Sequence, residues 1–213
     1  CPSDSGFYQR VGSNMANLCP QPIAIGRDTR STSRQIEKGL ATGISKGGGS
    51  YMTLGISTTP LVSFGVKQGM YRAGVMVTSS HNPPEWNGLK VFEQDGLIVD
   101  EGRLWVLIGE PKGFSSEPRE DEHSESYSTR EAYIRSIVQS VLALGGGAEG
   151  LRVVVDAGHG AASTVVPACL KELQAEVTLI NGDIDCLFRR QIEPRPDVLS
   201  GLCQEVMANK ADF

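Results

Sequence analysis

Apolar residues first fall at mostly helical spacing, at Phe7, Val11, Met15 and Leu18, and then as a short continuous run, Ile23-Ala24-Ile25. The alternation repeats downstream, predicting a helix over 35–46, a strand over 51–54, a helix over 61–70 and a strand at Gly74-Val75-Met76-Val77. Residues three and four apart line one face of a helix, whereas a short unbroken apolar run suits a strand buried on both faces. Helix and strand in alternation require crossover connections, hence a largely parallel sheet whose functional loops gather at the strands' C-terminal ends. Beyond Lys90, Val91-Phe92 and Leu97-Ile98 flank a Gln94-Asp95-Gly96 turn and predict a short β region.

From 110 to 130 the residues become Ser, Glu, Asp, Pro and Gly, which reads as a solvated connection. Its acidic run Glu120-Asp121-Glu122 suits a solvated face better than a metal site, and His123 is expected to be solvated with it. A helix is predicted over 131–144, ended by Gly145-Gly146-Gly147. A strand from Leu151, a glycine turn, a helix over 165–173, the strand Val177-Thr178-Leu179-Ile180 and a helix over 198–209 follow. No repeat shows in residue identity, but both halves share the order strand, glycine or polar turn, helix. The prediction is an α/β protein of two similar α/β units, with mixed, largely parallel sheets sandwiched by helices. The expected boundaries are 1–112 for the first domain, 113–130 for an acidic linker and 131–213 for the second.

The strand at Val75 runs into Thr78-Ser79-Ser80-His81-Asn82-Pro83-Pro84-Glu85-Trp86-Asn87-Gly88-Leu89-Lys90, which carries hydroxyls, an imidazole and an amine in one loop. The Pro83-Pro84 pair stiffens the turn. Ser80 could carry a covalent group, but no acid is placed to orient His81 as a hydrolase triad needs, and the loop lacks a Gly-x-Ser-x-Gly elbow. Phosphoryl transfer fits better. A phosphoserine carries roughly −1.5 to −2 charge and three strong acceptors, and Lys90 is the nearest cation in sequence. The plain alternative is a polar turn, since Ser, Asn, Pro and Gly are common turn residues and Asn87-Gly88 is a hairpin signal.

The loop resembles the phosphoserine loop of the α-D-phosphohexomutases, the family of phosphoglucomutase, phosphomannomutase and phosphoglucosamine mutase. That loop reads Thr-Ala-Ser-His-Asn-Pro and then Asn-Gly-x-Lys, with Ser79 here in place of the alanine. Four further segments resemble the family in the same order. They are Gly26-Arg27-Asp28-Thr29-Arg30-Ser31-Thr32-Ser33, the Gly55 to Pro60 turn, Leu151 to Ala161 with its Asp156-Ala157-Gly158-His159-Gly160 turn, and Phe188 to Pro196 with Arg189 at a proline position. Thr29, Ser31 or Ser33 can cap the helix after the first segment, and Arg27 and Arg30 are available as anion partners.

The resemblance implies a phosphohexomutase, an intramolecular phosphotransferase that exchanges the 1- and 6-phosphates of a hexose phosphate through phosphorylated Ser80 and a bisphosphorylated sugar. It implies Ser80, His81 and Lys90 as catalytic residues, with Lys90 ranked above His81 for proton management. Arg27, Arg30, Asn82 and Asn87 are implied as support for the phosphate loop. Mg²⁺ is the implied cofactor, touching Ser80 through its phosphate, and a hexose 1,6-bisphosphate the implied activator. The resemblance covers the first half of the family pattern. The family's opening Gly-Thr-x-Gly-x-Arg-Gly segment has no counterpart, Arg10 falls in the first helix, and Ala211-Asp212-Phe213 precedes the place of the family's Asp-Gly-Asp-x-Asp-Arg metal loop. A fragment inactive by itself is therefore expected, with the missing C-terminal half as a partner. The alternatives are a catalytically silent half-protein that binds a phosphosugar or a partner chain, and a fragment that works by complementation.

Composition narrows the class further. The 213 residues, 39% hydrophobic and 21% charged, suit a soluble globular chain, and a net charge of −5 argues against nucleic acid. Phosphate recognition must then come from local Arg, Lys and helix-end amides. Five scattered cysteines, Cys1, Cys19, Cys169, Cys186 and Cys203, make no zinc spacing and read as reduced thiols. No run of 18 apolar residues and no secretory leader is present, so the expectation is a cytoplasmic protein with no membrane partner. His159, between two glycines, reads as a turn residue, and Asp183 and Asp185 as solvated loop positions rather than a metal pair.

Overall fold

The computed structural model describes residues 5–19, 21–110, 127–185, 188–189 and 191–213. The Glu120-Asp121-Glu122 run, His123, most of the expected linker, Cys1 and Cys186 lie outside the described residues. Two compact units form, one from Cys1–Ser79 with Glu85–Thr129 and the other from Arg130–Phe213 with Ser80–Pro84.

The first unit runs α1 (Ser5–Leu18), β1 (Ile23–Arg27), α2 (Ser33–Lys46), β2 (Tyr51–Ile56), α3 (Thr59–Lys67), β3 (Ala73–Val77), β4 (Leu89–Phe92) and α4 (Glu101–Ile108). Its sheet has the order β2-β1-β3-β4, with β1 parallel to both neighbours and β4 antiparallel to β3. Side chains alternate across a strand. Ile23, Ile25, Ala73, Val75, Val77 and Val91 accordingly join one core with Val11 and Met15 of α1, Ile36, Leu40 and Ile44 of α2, and Leu107 of α4. The other face belongs to α3. There Gly26 and Gly74 leave room, since a Cβ would fall 2.5 Å from Val62 Cγ2 at Gly26 and 2.9 Å from Val62 and Val66 at Gly74. Both central strands are thus buried on two sides, which is why they read as continuous apolar runs.

Glycine also sets the crossing of α1 on α2. A Cβ at Gly12 would sit 2.2 Å from the Leu40 carbonyl oxygen, and one at Gly43 would sit 2.0 Å from that of Gln9. The two helix backbones touch, so no side chain fits between them.

Helix α4 was not predicted. Asp100 caps it by accepting a hydrogen bond from the Arg103 amide at 2.8 Å, and at its far end the buried Asn14 of α1 donates to the Leu107 and Gly109 carbonyls at 2.9 and 3.0 Å. The residues Leu97-Ile98 do not extend the sheet beyond a single bridge from Phe92 to Ile98. A turn intervenes, in which Gly96 donates to the Glu93 carbonyl at 2.8 Å and Leu97 to Asp95 Oδ1 at 2.8 Å, and Leu97 and Ile98 stay exposed. At α2 the cap falls on Thr32, which makes no side-chain cap bond, rather than on Thr29, Ser31 or Ser33. Arg10 lies within α1 with its guanidinium 5.6 Å from the Phe7 ring centre.

The second unit contains most of α5 (Tyr127–Ala143), then β5 (Arg152–Asp156), a 3₁₀ turn (Ala161–Thr164), α6 (Val166–Glu172), β6 (Glu176–Ile180) and α7 (Ser200–Ala208). Helix α5 begins before residue 131, where helical spacing was first read. Strands β5 and β6 are parallel. The residues after α7 return along β5, where Asp212 donates to the Arg152 carbonyl at 2.8 Å and Val154 to the Phe213 carbonyl at 2.9 Å. Among the described residues no helix is long and apolar enough to cross a membrane.

Gly43→Ala is expected to lower the unfolding free energy by at least about 1–3 kcal/mol, because a backbone carbonyl cannot yield as a side chain can. Urea unfolding checks this, with Gly147→Ala as control, since a Cβ there meets nothing within 4 Å.

Candidate active site

Because β1 and β3 are parallel neighbours, with Arg27 opposite Val77, their C-terminal ends deliver the two sequence motifs side by side. The Asp28 amide donates to the Val77 carbonyl at 3.0 Å and continues the ladder one residue past the strands. The Asp28 carboxylate is then the centre of a polar knot. Its Oδ2 accepts from Arg30 Nε at 2.9 Å and from Thr78 Oγ1 at 2.8 Å, and its Oδ1 accepts from Ser33 Oγ at 2.5 Å and the Arg30 amide at 3.1 Å. Four donors on one carboxylate leave it well compensated for its burial.

Arg30 is 2% exposed. The structure places it beneath the loop, where Nη1 donates to the Trp86 carbonyl at 3.0 Å, rather than at the surface where a free anion could reach it. Asn87, the next residue, donates from Nδ2 to Thr32 Oγ1 at 3.0 Å and Ser33 Oγ at 2.8 Å, at the start of α2. The Thr78 amide donates to the Gly88 carbonyl at 3.0 Å and closes the loop's neck. Arg27 faces α2 instead, where its Nε is 2.9 Å from Glu37 Oε2 and both side chains are largely buried. Asp28, Ser33 and Thr78 were given no such bracing role by the sequence reading. The signal available was an acid inside an Arg-Asp-Thr-Arg segment, since two buried guanidinium groups need carboxylate partners.

The loop residues from Ser80 to Trp86 are exposed. Ser80 has φ of +57°, the left-handed region that a residue with a Cβ occupies at a cost of about 1–2 kcal/mol. Its Oγ lies 3.5 Å from His81 Nδ1, the outer limit of a hydrogen bond. Asn82 is exposed beside them. Lys90 lies on β4 opposite Met76, and its amine makes no hydrogen bond or ion pair among the described residues. The knot therefore joins Arg30, Asn87, Thr78 and Asp28, while Ser80 Oγ lies beside the His81 ring, Arg27 goes to Glu37, and Lys90 stands on the return strand.

In the second unit His159 is 2% exposed with φ of +56°, and its amide donates to the Asn181 carbonyl. It serves the turn after β5, with Nδ1 3.3 Å from both the Asp183 carbonyl oxygen and Arg189 Nη1. Asp183 and Asp185 are not merely solvated, because both pair with Arg189, which stands at the departed proline position. Among the described residues no three His, Cys, Asp or Glu side chains group to hold a metal ion. Magnesium needs several hard oxygen ligands, so the residues described here do not fit it by themselves. Of the cysteines, burial pushes the Cys19 and Cys169 thiols above their ordinary range, keeping both protonated and unreactive at neutral pH.

Removing Asp28 would take from the buried Arg30 the carboxylate that faces its Nε. Asp28→Ala is expected to cost about 3–5 kcal/mol in denaturant unfolding. Adding Arg30→Ala is expected to cost less than the sum of the two single changes, because the two side chains share one interaction.

Residues 3–102 match the family described as "Phosphoglucomutase/phosphomannomutase, alpha/beta/alpha domain I", and residues 131–213 match its domain II. The chain is 35% identical over 194 residues to a probable phosphoglucosamine mutase of Pyrococcus abyssi, covering 90% of this chain and 42% of that relative. It is 32% identical over 177 residues to a phosphoglucosamine mutase of Prochlorococcus marinus, covering 81% of this chain and 38% of the relative. It thus spans less than half the length of these curated relatives. The solved structure of a phosphoglucomutase/phosphomannomutase family protein from Burkholderia thailandensis shares the fold, with a TM-score of 0.78 over 98% of this chain and 47% of that one at 23% identity. With both family domains matched in order, on a fold that sets the serine loop at the strands' C-terminal ends, this chain belongs to the phosphoglucomutase/phosphomannomutase family.

Proposed function

We propose that this chain supplies the phosphoryl-carrying serine of a phosphohexomutase, and that Ser80 is that serine. The observation that supports it most is the contrast within one loop: an exposed hydroxyl in a strained backbone conformation, on a segment whose return arm is braced by buried groups. Strain of this kind persists where surrounding structure over-determines it, and it concentrates at functional positions.

In the proposed reaction the phosphoryl group on Ser80 passes to a free hydroxyl of a hexose monophosphate. The bond from phosphorus to Ser80 Oγ breaks, a bond to the sugar oxygen forms, and the proton given up by the sugar hydroxyl is balanced by one taken up at Ser80 Oγ. The bisphosphorylated sugar then turns over and returns its other phosphoryl group to Ser80, so that the phosphate has moved between positions 1 and 6. The same bisphosphate added from outside would phosphorylate an empty serine, which makes it the activator. Lys90 is the group assigned to the charge that builds on the transferring phosphoryl, a reading supported by its ammonium having no competing partner among the described residues. His81 is the candidate to move a proton at Ser80 Oγ. Arg30 and Asn87 act by holding the loop. Magnesium, if bound in the longer protein, would neutralise phosphate charge. The relatives' names favour an amino-hexose phosphate as the first substrate to try.

In a longer polypeptide that contains this chain and turns over a hexose phosphate, Ser80→Ala is expected to abolish both the phosphoenzyme, read by intact mass, and turnover. Ser79→Ala is expected to retain both. Ordinary turnover by the Ser80→Ala protein would overturn the covalent assignment. Lys90→Met should keep phosphate on Ser80 and lower kcat by about 10²–10⁴-fold.

A further inference from the structure

Trp86 stands out in the first unit. Its side chain is 61% exposed and makes no hydrogen bond among the described residues. Tryptophan is normally well covered, because its ring offers more apolar surface than any other side chain. A mobile loop would fold such a ring back onto the protein. Here the main chain prevents it, because the Trp86 carbonyl is held by Arg30, Asn87 by Thr32 and Ser33, and the Gly88 carbonyl by the Thr78 amide. Three consecutive residues are fixed, and the indole is left projecting. The only other tryptophan gives a contrast. Trp105 is 63% exposed, but it lies on the outside of α4 with its Nε1 3.3 Å from Glu101 Oε1 on the same helix, and among the described residues no distant one bonds its side chain.

We propose that Trp86 is a stacking platform for the pyranose ring of a hexose phosphate. This rests on the reading of Ser80 as the phosphoryl carrier, because it makes Trp86 the sugar-contacting part of the same loop. A pyranose presents a face of C–H bonds that suits the flat, electron-rich face of an indole, while its hydroxyls and phosphate seek charged donors. Lys90, four residues on, is a cation of that kind. Arg30 is a positioning residue in this scheme, since it touches Trp86 only through the carbonyl. A platform fixed before the sugar arrives loses little freedom on binding, and it holds the ring at one height while allowing rotation in its own plane. Rotation between two ends of a sugar is what a 1,6 exchange demands of its platform.

The test uses the 213-residue chain carrying Trp105→Phe, so that Trp86 is the sole tryptophan. Titration with glucose 6-phosphate, mannose 6-phosphate and glucosamine 6-phosphate is expected to change Trp86 emission saturably with at least one of them, and inorganic phosphate to leave it unchanged. By calorimetry with the responding sugar, Trp86→Leu should weaken binding about tenfold and Trp86→Tyr much less, because leucine keeps apolar area but loses the aromatic face. No emission change with any of the three at about 10 mM, a concentration that would show even very weak binding, overturns the platform. Equal binding by the Leu and Tyr variants overturns it too. Failure of the reaction scheme is separable: phosphate transfer from a hexose 1,6-bisphosphate to Ser80, read by mass, with a silent Trp86, keeps the chemistry and removes the platform. In a longer polypeptide that contains this chain, a Trp86 response without phosphate on Ser80 keeps the platform and removes the chemistry.

Discussion

The carboxylate of Asp28 sets how the first unit's loop is held. It sits where two parallel strands end, against a guanidinium that is 2% exposed. A buried pair of this sort contributes little net stability compared with apolar groups of the same size, but breaking it is costly, and that asymmetry is what makes it a fixture. Its geometry carries outward in three directions, to Thr78 at the end of β3, to Ser33 at the start of α2, and through Arg30 to the Trp86 carbonyl. Each contact restrains a different element. The brace therefore holds the two ends of a short polar loop, Thr78 and Trp86 to Gly88.

Packing beneath the sheet serves the same end by different means. Gly12 and Gly43 bring α1 and α2 into backbone contact, and Gly26 and Gly74 bring α3 down on the strands. With both faces covered so closely, β1 and β3 have little room to shift in register, and register decides whether Asp28 meets Thr78. Asn14 extends this order to α4 by satisfying its last carbonyls, a role water would otherwise fill.

Much of this was legible in the chain. Ile23-Ala24-Ile25 and Gly74-Val75-Met76-Val77 announce doubly buried strands through uninterrupted apolar runs, and the observed β1 and β3 lie there. The serine loop was legible as a motif and its family from five segments in order. Helix α4 was not, because Leu104-Trp105-Val106-Leu107-Ile108 is apolar on every side and shows no helical period. What ends that helix is Asn14, 93 residues earlier. The placement of Arg30 was equally hidden. An arginine next to a helix start reads as an exposed anion partner, and only the carbonyl of Trp86, 56 residues on, reveals that it points inward. Asp183 and Asp185 were read as solvated for the same reason, their partner Arg189 being visible only once the turn is formed.

The bond from Thr78 to Asp28 joins residues 50 positions apart, and the bond from Arg30 to Trp86 joins residues 56 apart. Local sequence therefore cannot make this loop's shape. It can exist only after β1 and β3 have found each other across two helices and a strand, one of the slower events open to a folding chain because loop closure must come before any reward. During synthesis the Arg30 charge is made long before its carbonyl, and it must wait in water until the sheet closes. The braced loop thus depends on pairing between distant parts of the chain, and a peptide of the loop alone would lack the groups that brace it.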